Sequence, residues 1–221
     1  MKRVLLLAVM SLSIFSLGLA QGQMYFNVGP AFPTGDYADD DAGDRDAGGA
    51  AIGLNAGLLY EHPLNSNGLF MFGSVDLMFQ GLKADYKDEI EDANPNADIT
   101  FAKYLNVPIS GGLRYKMDAG DNVGLFANAG VSFNLLKVTD YDFDFGDQGN
   151  VEFKYELATN VGFKIGAGLT FDEKTSVAIH YYGLGEHDLD FERENPDGAS
   201  QNGDTEQTIT QVTITLGFKL N

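Results

Sequence analysis

The stretch "NVGFKIGAGLTF", residues 160–171, alternates without interruption. Val161, Phe163, Ile165, Ala167, Leu169 and Phe171 fall on one face of an extended chain, and Asn160, Gly162, Lys164, Gly166, Gly168 and Thr170 on the other. Successive side chains of a strand point to opposite faces, so a period of two predicts a strand. In a soluble antiparallel sheet the apolar face is the core and the polar face meets water. In a membrane barrel the apolar face meets lipid and the polar face lines the lumen. Which face is inside decides the fold.

The same pattern recurs along the chain. It predicts eight strands near residues 23–33, 50–62, 69–82, 101–116, 123–137, 157–171, 175–185 and 207–220, with no convincing helical period. Most reach the roughly 9–11 residues that cross a bilayer at a tilt. The connections alternate in kind. "HPLNSNG", "KMDAGDN" and "DEKTS" are short and rich in turn residues. Residues 34–49, 83–100, 137–156 and 185–207 form four long loops, the short-turn and long-loop asymmetry of an outer-membrane barrel.

The charges choose the face. The four long loops hold 26 Asp and Glu against 6 Lys and Arg. The rest of the chain after residue 20 holds six acids and six bases. A soluble sheet would carry Lys and Glu along its solvent face. Here the non-apolar face is Gly, Asn, Ser and Thr with isolated charges, which suits a narrow lumen. The expected fold is therefore all-β, an eight-stranded antiparallel up-and-down transmembrane β-barrel. Tyr60, Tyr115 and Phe171 near the short turns, and Phe32, Phe79 and Phe101 toward the long loops, are the expected aromatic girdles.

Residues 1–20, "MKRVLLLAVMSLSIFSLGLA", have a basic start, an apolar middle and a small-residue end, the pattern of a signal peptide cleaved after Ala20. Residues 21–221 are then the barrel. With no cysteine, a disulfide framework or cysteine metal site is ruled out, and a net charge of −18 argues against nucleic acid as a partner.

"GPAFPTGDY" (29–37), "YLNVPISGGLRY" (104–115), "GLFANAGVSFNLL" (124–136), "GFKIGAGLTF" (162–171) and "YYGLGEHD" (181–188) together resemble a large family. It is the small outer-membrane β-barrel proteins often filed under porin family, related in shape to OmpA- and OmpX-type barrels. The resemblance covers essentially all of residues 21–221 and implies an eight-stranded barrel in a bacterial outer membrane, without implying one activity. The chain departs from the family in ending "LGFKLN" rather than on an aromatic residue, and in carrying His180 in the seventh strand where a basic residue is usual.

By parity Glu61, Asp76, Arg114, Lys164 and Lys219 face the lumen. Unpaired charges in so narrow an interior are costly, so pairing is expected. Asp76 and Lys164 lie at matching heights, which predicts one buried ion network with His180 nearby; Arg114 with Asp76 is the competing pair. His180 has no Ser or Cys two residues away on its face, so a catalytic role is not expected. Asp40, Asp41, Asp44 and Asp46 are the candidates for cation contacts, although none of the acidic loops has the Asp-x-Asp-x-Asp-Gly spacing of a calcium loop. "DYDFDFGD" (140–147) alternates acid with aromatic, as if a hairpin continued above the membrane. Pro108, inside the fourth strand, removes a ladder donor at a bulge or leaves a carbonyl unpaired.

The expected function is a non-catalytic outer-membrane protein with a structural or surface-interaction role, its loops extracellular and both termini periplasmic. A narrow conduit for small solutes or ions is the alternative, and an enzyme acting on membrane lipid a third. The expected partners are membrane lipid and lipopolysaccharide, with divalent cations or extracellular ligands at the loops and no cofactor.

Overall fold

The computed structural model describes residues 22–44 and 46–221. The leader expected at residues 1–20 lies outside them. In chain order the elements are β1 (Gln23–Thr34), β2 (Gly53–Pro63), β3 (Leu69–Gln80), α1 (Ala84–Ala93), β4 (Asp98–Thr100), β5 (Tyr104–Gly120), β6 (Val123–Val138), β7 (Tyr141–Asp144), β8 (Asn150–Tyr155), β9 (Leu157–Phe171), β10 (Thr175–Glu194) and β11 (Ser200–Lys219). Short 3-10 turns follow β1 at Gly35–Ala38 and β7 at Gly146–Gln148.

Among the described residues eight of these strands close a ring in the order β11, β1, β2, β3, β5, β6, β9, β10, with β10 pairing back onto β11. Every neighbouring pair is antiparallel. A closed ring leaves no unpaired edge, as a strand structure in lipid requires. The first described residues and the C-terminal residue meet at one rim, where Met24 N donates to Asn221 Oδ1 at 2.7 Å. At the β9–β10 turn, Asp172 and Glu173 have φ of 50° and 55°. That is the paired positive-φ geometry whose twist matches a hairpin.

Burial answers the question raised by residues 160–171. Ile165 is 47 % exposed and its neighbour Lys164 is 1 % exposed. The lysine is inside and the isoleucine outside. The same inversion runs round the ring: Leu58, Val75, Leu77, Ile109, Leu113, Phe133, Ile179 and Leu216 are exposed, whereas Asn55, Asp76, Asn106, Asn134 and Thr213 are buried. The apolar belt faces lipid. Tyr115, Phe79 and Phe171 stand on it. Phe101 does not: it precedes β5 and packs on Tyr141 at 5.8 Å, so β5 begins three residues later than the alternation suggested.

Pro108 lies opposite Asn134 of β6. On its other side the β3 ladder stops at Val75–Ile109 and resumes at Met78–Asn106 in unchanged register. The proline therefore interrupts the ladder without a bulge.

The long segments are more ordered than loops. β10 and β11 continue above the belt as one long hairpin, so residues 185–207 are mostly strand. β8 pairs with the top of β10, β7 with β8, and β4 with β7, which builds a side sheet above the barrel. α1 was not foreseen. Its sequence, ADYKDEIEDA, buries no residue, so it lacks a fully apolar stripe to announce it. Its ends are held locally: Asp85 sits in the first turn, where the helix dipole favours an acid, and Asn94 Nδ2 donates to Ile90 O at 2.9 Å.

Candidate functional site

Three layers of polar side chains fill the lumen. At the rim where Met24 meets Asn221, Glu61 of β2 accepts from Arg114 Nη1 of β5 at 3.0 Å and pairs with Lys116. Arg114 lies over the Phe126 ring at 4.2 Å, and Tyr25, Leu59 and Phe72 pack beside this group. Lys116 shares the parity of Arg114 but read as the start of a turn, and it becomes a lumen residue because β5 runs on to Gly120. Lys219 is at the same rim, with no ion pair among the described residues.

Midway up, Lys164 Nζ of β9 donates to Asp76 Oδ2 of β3 at 2.9 Å, and both side chains are buried. Asp76 Oδ2 also accepts from Ser74 Oγ and Tyr182 Oη, each at 3.1 Å. Lys164 Nζ gives a further bond to Ser74 Oγ at 3.0 Å and stands 4.9 Å from the Tyr182 ring centre. β3 and β9 are not neighbours in the ring, so this pair braces the barrel across its interior. A buried pair adds little against an apolar filling, but removing one partner strands the other charge. Arg114 takes Glu61, not Asp76, so the lumen holds two ion clusters. His180 is buried with its ring 6.3 Å from Tyr182, and its nitrogens have no hydrogen-bond partner among the described residues.

Above them runs a chain of neutral groups that parity did not single out. Gln211 Oε1 accepts from Gln80 Nε2 at 2.6 Å, and Gln80 Oε1 accepts from Tyr37 Oη at 2.9 Å. Asn106 Nδ2 donates to Tyr37 Oη at 3.0 Å, and Asn134 Nδ2 to Asn106 Oδ1 at 3.1 Å. Asn134 Nδ2 also meets His187 Nε2 at 3.0 Å, and His187 Nδ1 meets Gly185 O at 3.1 Å. Tyr37, delivered by the turn after β1, is completely buried. Over this chain lies an apolar cluster that includes Leu82, Tyr104, Leu136, Val138, Leu184, Leu189 and Ile209.

Charge is concentrated outside this plug. The side sheet has two faces. Tyr141, Phe143, Phe153, Tyr155 and Phe191 form one, with ring centres 4.7–6.3 Å apart along the row. Asp98, Asp142, Asp144, Glu152, Glu192 and Glu194 share the other parity. Lys154 bridges Glu152 at 3.1 Å and Glu194 at 2.8 Å, both exposed pairs of small energetic weight. In the first loop Asp40 pairs with Lys83 at 3.2 Å. Asp41 and Asp44 accept from the backbone N–H of Gly43 and Asp46, at 2.9 and 3.1 Å. These acids shape turns. Among the described residues no three carboxylate or imidazole groups converge as a metal site, and Asp40, Asp41, Asp44 and Asp46 do not form one.

No family model and no curated protein matches the sequence. The backbone is similar to the outer membrane protein OprG from Pseudomonas aeruginosa, with a TM-score of 0.53 at 15% identity over 91% of this chain and 97% of that one. It is also similar to a major outer membrane protein from Thermus thermophilus, with a TM-score of 0.54 at 11% identity over 90% and 99%. The fold is that of the small outer-membrane β-barrels. Identities this low carry the fold across and leave the activity to this chain's own residues.

Proposed function

We propose that this is a bacterial outer-membrane protein without catalytic activity, and that it works through its acidic superstructure and not through its lumen. The observation that supports this most strongly is the cross-lumen pair Lys164–Asp76, at 2.9 Å, with a polar chain and an apolar cluster stacked above it. An eight-stranded barrel has an interior that side chains can fill, and here they fill it. What is left to meet a partner is the face of acids above the belt. Such a surface attracts cations diffusely and favours basic partners. Near lipopolysaccharide, divalent cations would bridge it to the lipid phosphates.

The orientation follows from the same charges. Crossing a bilayer with many acids is penalised by a few kcal/mol for each, so the acidic end stays outside and the termini lie in the periplasm. Protease added to intact cells should cut within 34–49 or at the β10–β11 tip; cutting only after lysis would reverse the orientation.

Planar-bilayer recording tests the closed lumen. The barrel should insert without discrete conductance steps. Steady steps that change when Asp76 or Lys164 is substituted would mean that the lumen conducts and that the conduit alternative holds.

A further inference from the structure

A cavity of about 200 Å³ opens between α1, the top of the barrel and the side sheet. Tyr86, Tyr104, Tyr141 and Tyr155 line it, with Ile90 and Leu189 among the apolar residues between them. Tyr86, Tyr141 and Tyr155 are only partly buried, so a solute arriving from water meets their rings. Two of the hydroxyl groups are already committed to the backbone: Tyr104 Oη donates to Gly48 O at 2.7 Å, and Tyr86 Oη to Ala47 O at 3.5 Å. These residues therefore offer rings more than hydrogen bonds.

The field at the cavity is negative. α1 carries Asp85, Asp88, Glu89, Glu91 and Asp92 against the single Lys87. Burial and then Glu89 push the Tyr86 hydroxyl above its ordinary pKa. Burial, then Tyr86, Tyr155 and Glu91, do the same for Tyr141. Both rings are neutral phenols in the field of carboxylates. The face of an aromatic ring is itself negative and attracts a cation within about 6 Å of its centre. One ring of this cluster already does so: Lys87 Nζ stands 5.3 Å from the centre of Phe101, which packs on Tyr141.

The lining narrows the kind of cation. No carboxylate is among the described lining residues, and a divalent metal ion needs several oxygen ligands. A primary ammonium is strongly hydrated and needs acceptors to replace its water. A trimethylammonium group donates no hydrogen bond and spreads its charge over methyl groups, which suit both the rings and the aliphatic side chains. In bulk it is close to the benzene ring that an apolar cavity of about 150 Å³ accommodates.

The ring nearest the entrance helix is fixed in advance. Glu89 accepts from Ala42 N at 2.9 Å, which ties α1 to the first loop. A Cβ on Gly49 would lie 2.5–2.8 Å from Cγ, Cδ1 and Cδ2 of Tyr86, so that ring lies flat on the Gly49 backbone. A ring held in place lowers the ordering cost of binding.

We propose that this cavity is an aromatic cage for a trimethylammonium group, held by cation–π contact with Tyr86, Tyr104, Tyr141 and Tyr155 and by the field of Glu89 and Glu91. The cage rests on the reading that ligands meet the superstructure and not the lumen. Conductance tests that reading and a titration followed at the tyrosines tests the cage, so the two fail separately.

The test is a titration of the full barrel in dodecyl maltoside micelles, which carry neither charge nor choline, at constant ionic strength. The probes are tetramethylammonium, choline, phosphocholine, ammonium and dimethylbutanol, the uncharged carbon analogue of choline. Binding is followed by NMR of ring-labelled tyrosines, with Tyr86 and Tyr155 assigned by signal loss in Tyr86→Phe and Tyr155→Phe. Tetramethylammonium and choline should shift both signals saturably, and about fivefold or more tightly than ammonium or dimethylbutanol. Tyr86→Ala should weaken choline about three- to tenfold, read at Tyr155, whereas Tyr86→Phe keeps the ring and should stay within about twofold. Ile90→Trp, on a helix outside the barrel ladder, should fill the cavity and weaken choline about tenfold or more, while heat-modified migration shows the barrel folded. Choline against phosphocholine separates a free ammonium compound from a lipid headgroup, and saturable binding of either supports the cage. No saturable shift, or dimethylbutanol binding as tightly as choline, would overturn it. So would ammonium binding equally, or choline shifts that survive Ile90→Trp, since either means diffuse attraction to the acidic surface.

Discussion

The barrel wall and the superstructure above it use one pattern for opposite purposes. In the wall, alternation sends apolar side chains out to lipid and polar ones into the lumen. In the superstructure it sends acids out to water and aromatics in over the plug. β10 belongs to both regions and shows how the change is made. Val177 and Ile179 are exposed while Ala178, His180 and Tyr182 are buried. Higher up, His187 and Leu189 are buried while Glu186 and Asp188 are exposed. Between Gly183 and Gly185 the register against β11 slips by one residue, leaving Leu184 as the extra residue of a β-bulge. A one-residue slip moves every later side chain to the other face. Gly185 has φ of 82°, a conformation that side chains resist, and an added Cβ would lie 2.7 Å from Asn160. The chain reverses its faces where the surrounding solvent changes from hydrocarbon to water.

The largest contrast between the regions should lie in their ion pairs. Lys164→Met or Asp76→Leu alone should cost about 3–5 kcal/mol by leaving a buried charge uncompensated, and the double replacement far less. Removing the exposed Lys154 should change stability little, because water screens its pairs with Glu152 and Glu194. A double-mutant cycle read by urea unfolding in lipid vesicles measures both. No coupling between positions 76 and 164 would remove the brace from the account.

Next are the outward faces. Ile165→Arg should destabilise the barrel by about 2–4 kcal/mol if it lies near the bilayer midplane. Glu186→Arg, also outward but above the bulge, should be close to neutral. Heat-modified migration of the two variants on a gel compares them directly.

Gly185→Ala should cost about 1–2 kcal/mol through its positive φ. The loss should appear as faster amide exchange in residues 186–206 with the lower barrel unchanged.

The smallest effect should be one of pH. Burial holds His187 below its ordinary value of 6.5. The opened superstructure therefore binds a proton more readily than the closed one in the interval between the lowered value and 6.5. Its stability should be full above about pH 6.5 and fall as pH drops through that interval. His187→Asn should flatten this dependence of amide protection, and an unchanged slope would assign it to other groups.

Much of the wall was legible. Parity alone placed Glu61, Asp76, Arg114 and Lys164 inside, because a strand in lipid must keep its period. Pairing was harder. Which charges meet depends on tilt and stagger around the ring: matching heights favour Lys164–Asp76, and only the register removes Arg114–Asp76 as its competitor. The superstructure was legible only in fragments. "DYDFDF" announced β7 with an aromatic and an acidic face. In β10 the apolar residues stay on odd positions through Val177, Ile179, Leu189 and Phe191, so the bulge that reverses their meaning leaves no break in the period. The polar chain from Gln80 to His187 escaped because neutral amides at lumen positions look like ordinary small-barrel filling. Tyr37 escaped because it enters from a loop.

The phase reversal can be measured directly. The chain has no cysteine, so single spin labels can be placed from residue 177 to 191 and probed with oxygen, which favours lipid, and a nickel chelate, which favours water. The account predicts oxygen access at 177, 179 and 181, nickel access at 186, 188 and 190, and little access to either at 178, 180, 187 and 189. An unbroken period through 183–185, with 187 and 189 accessible and 186 and 188 buried, would contradict it.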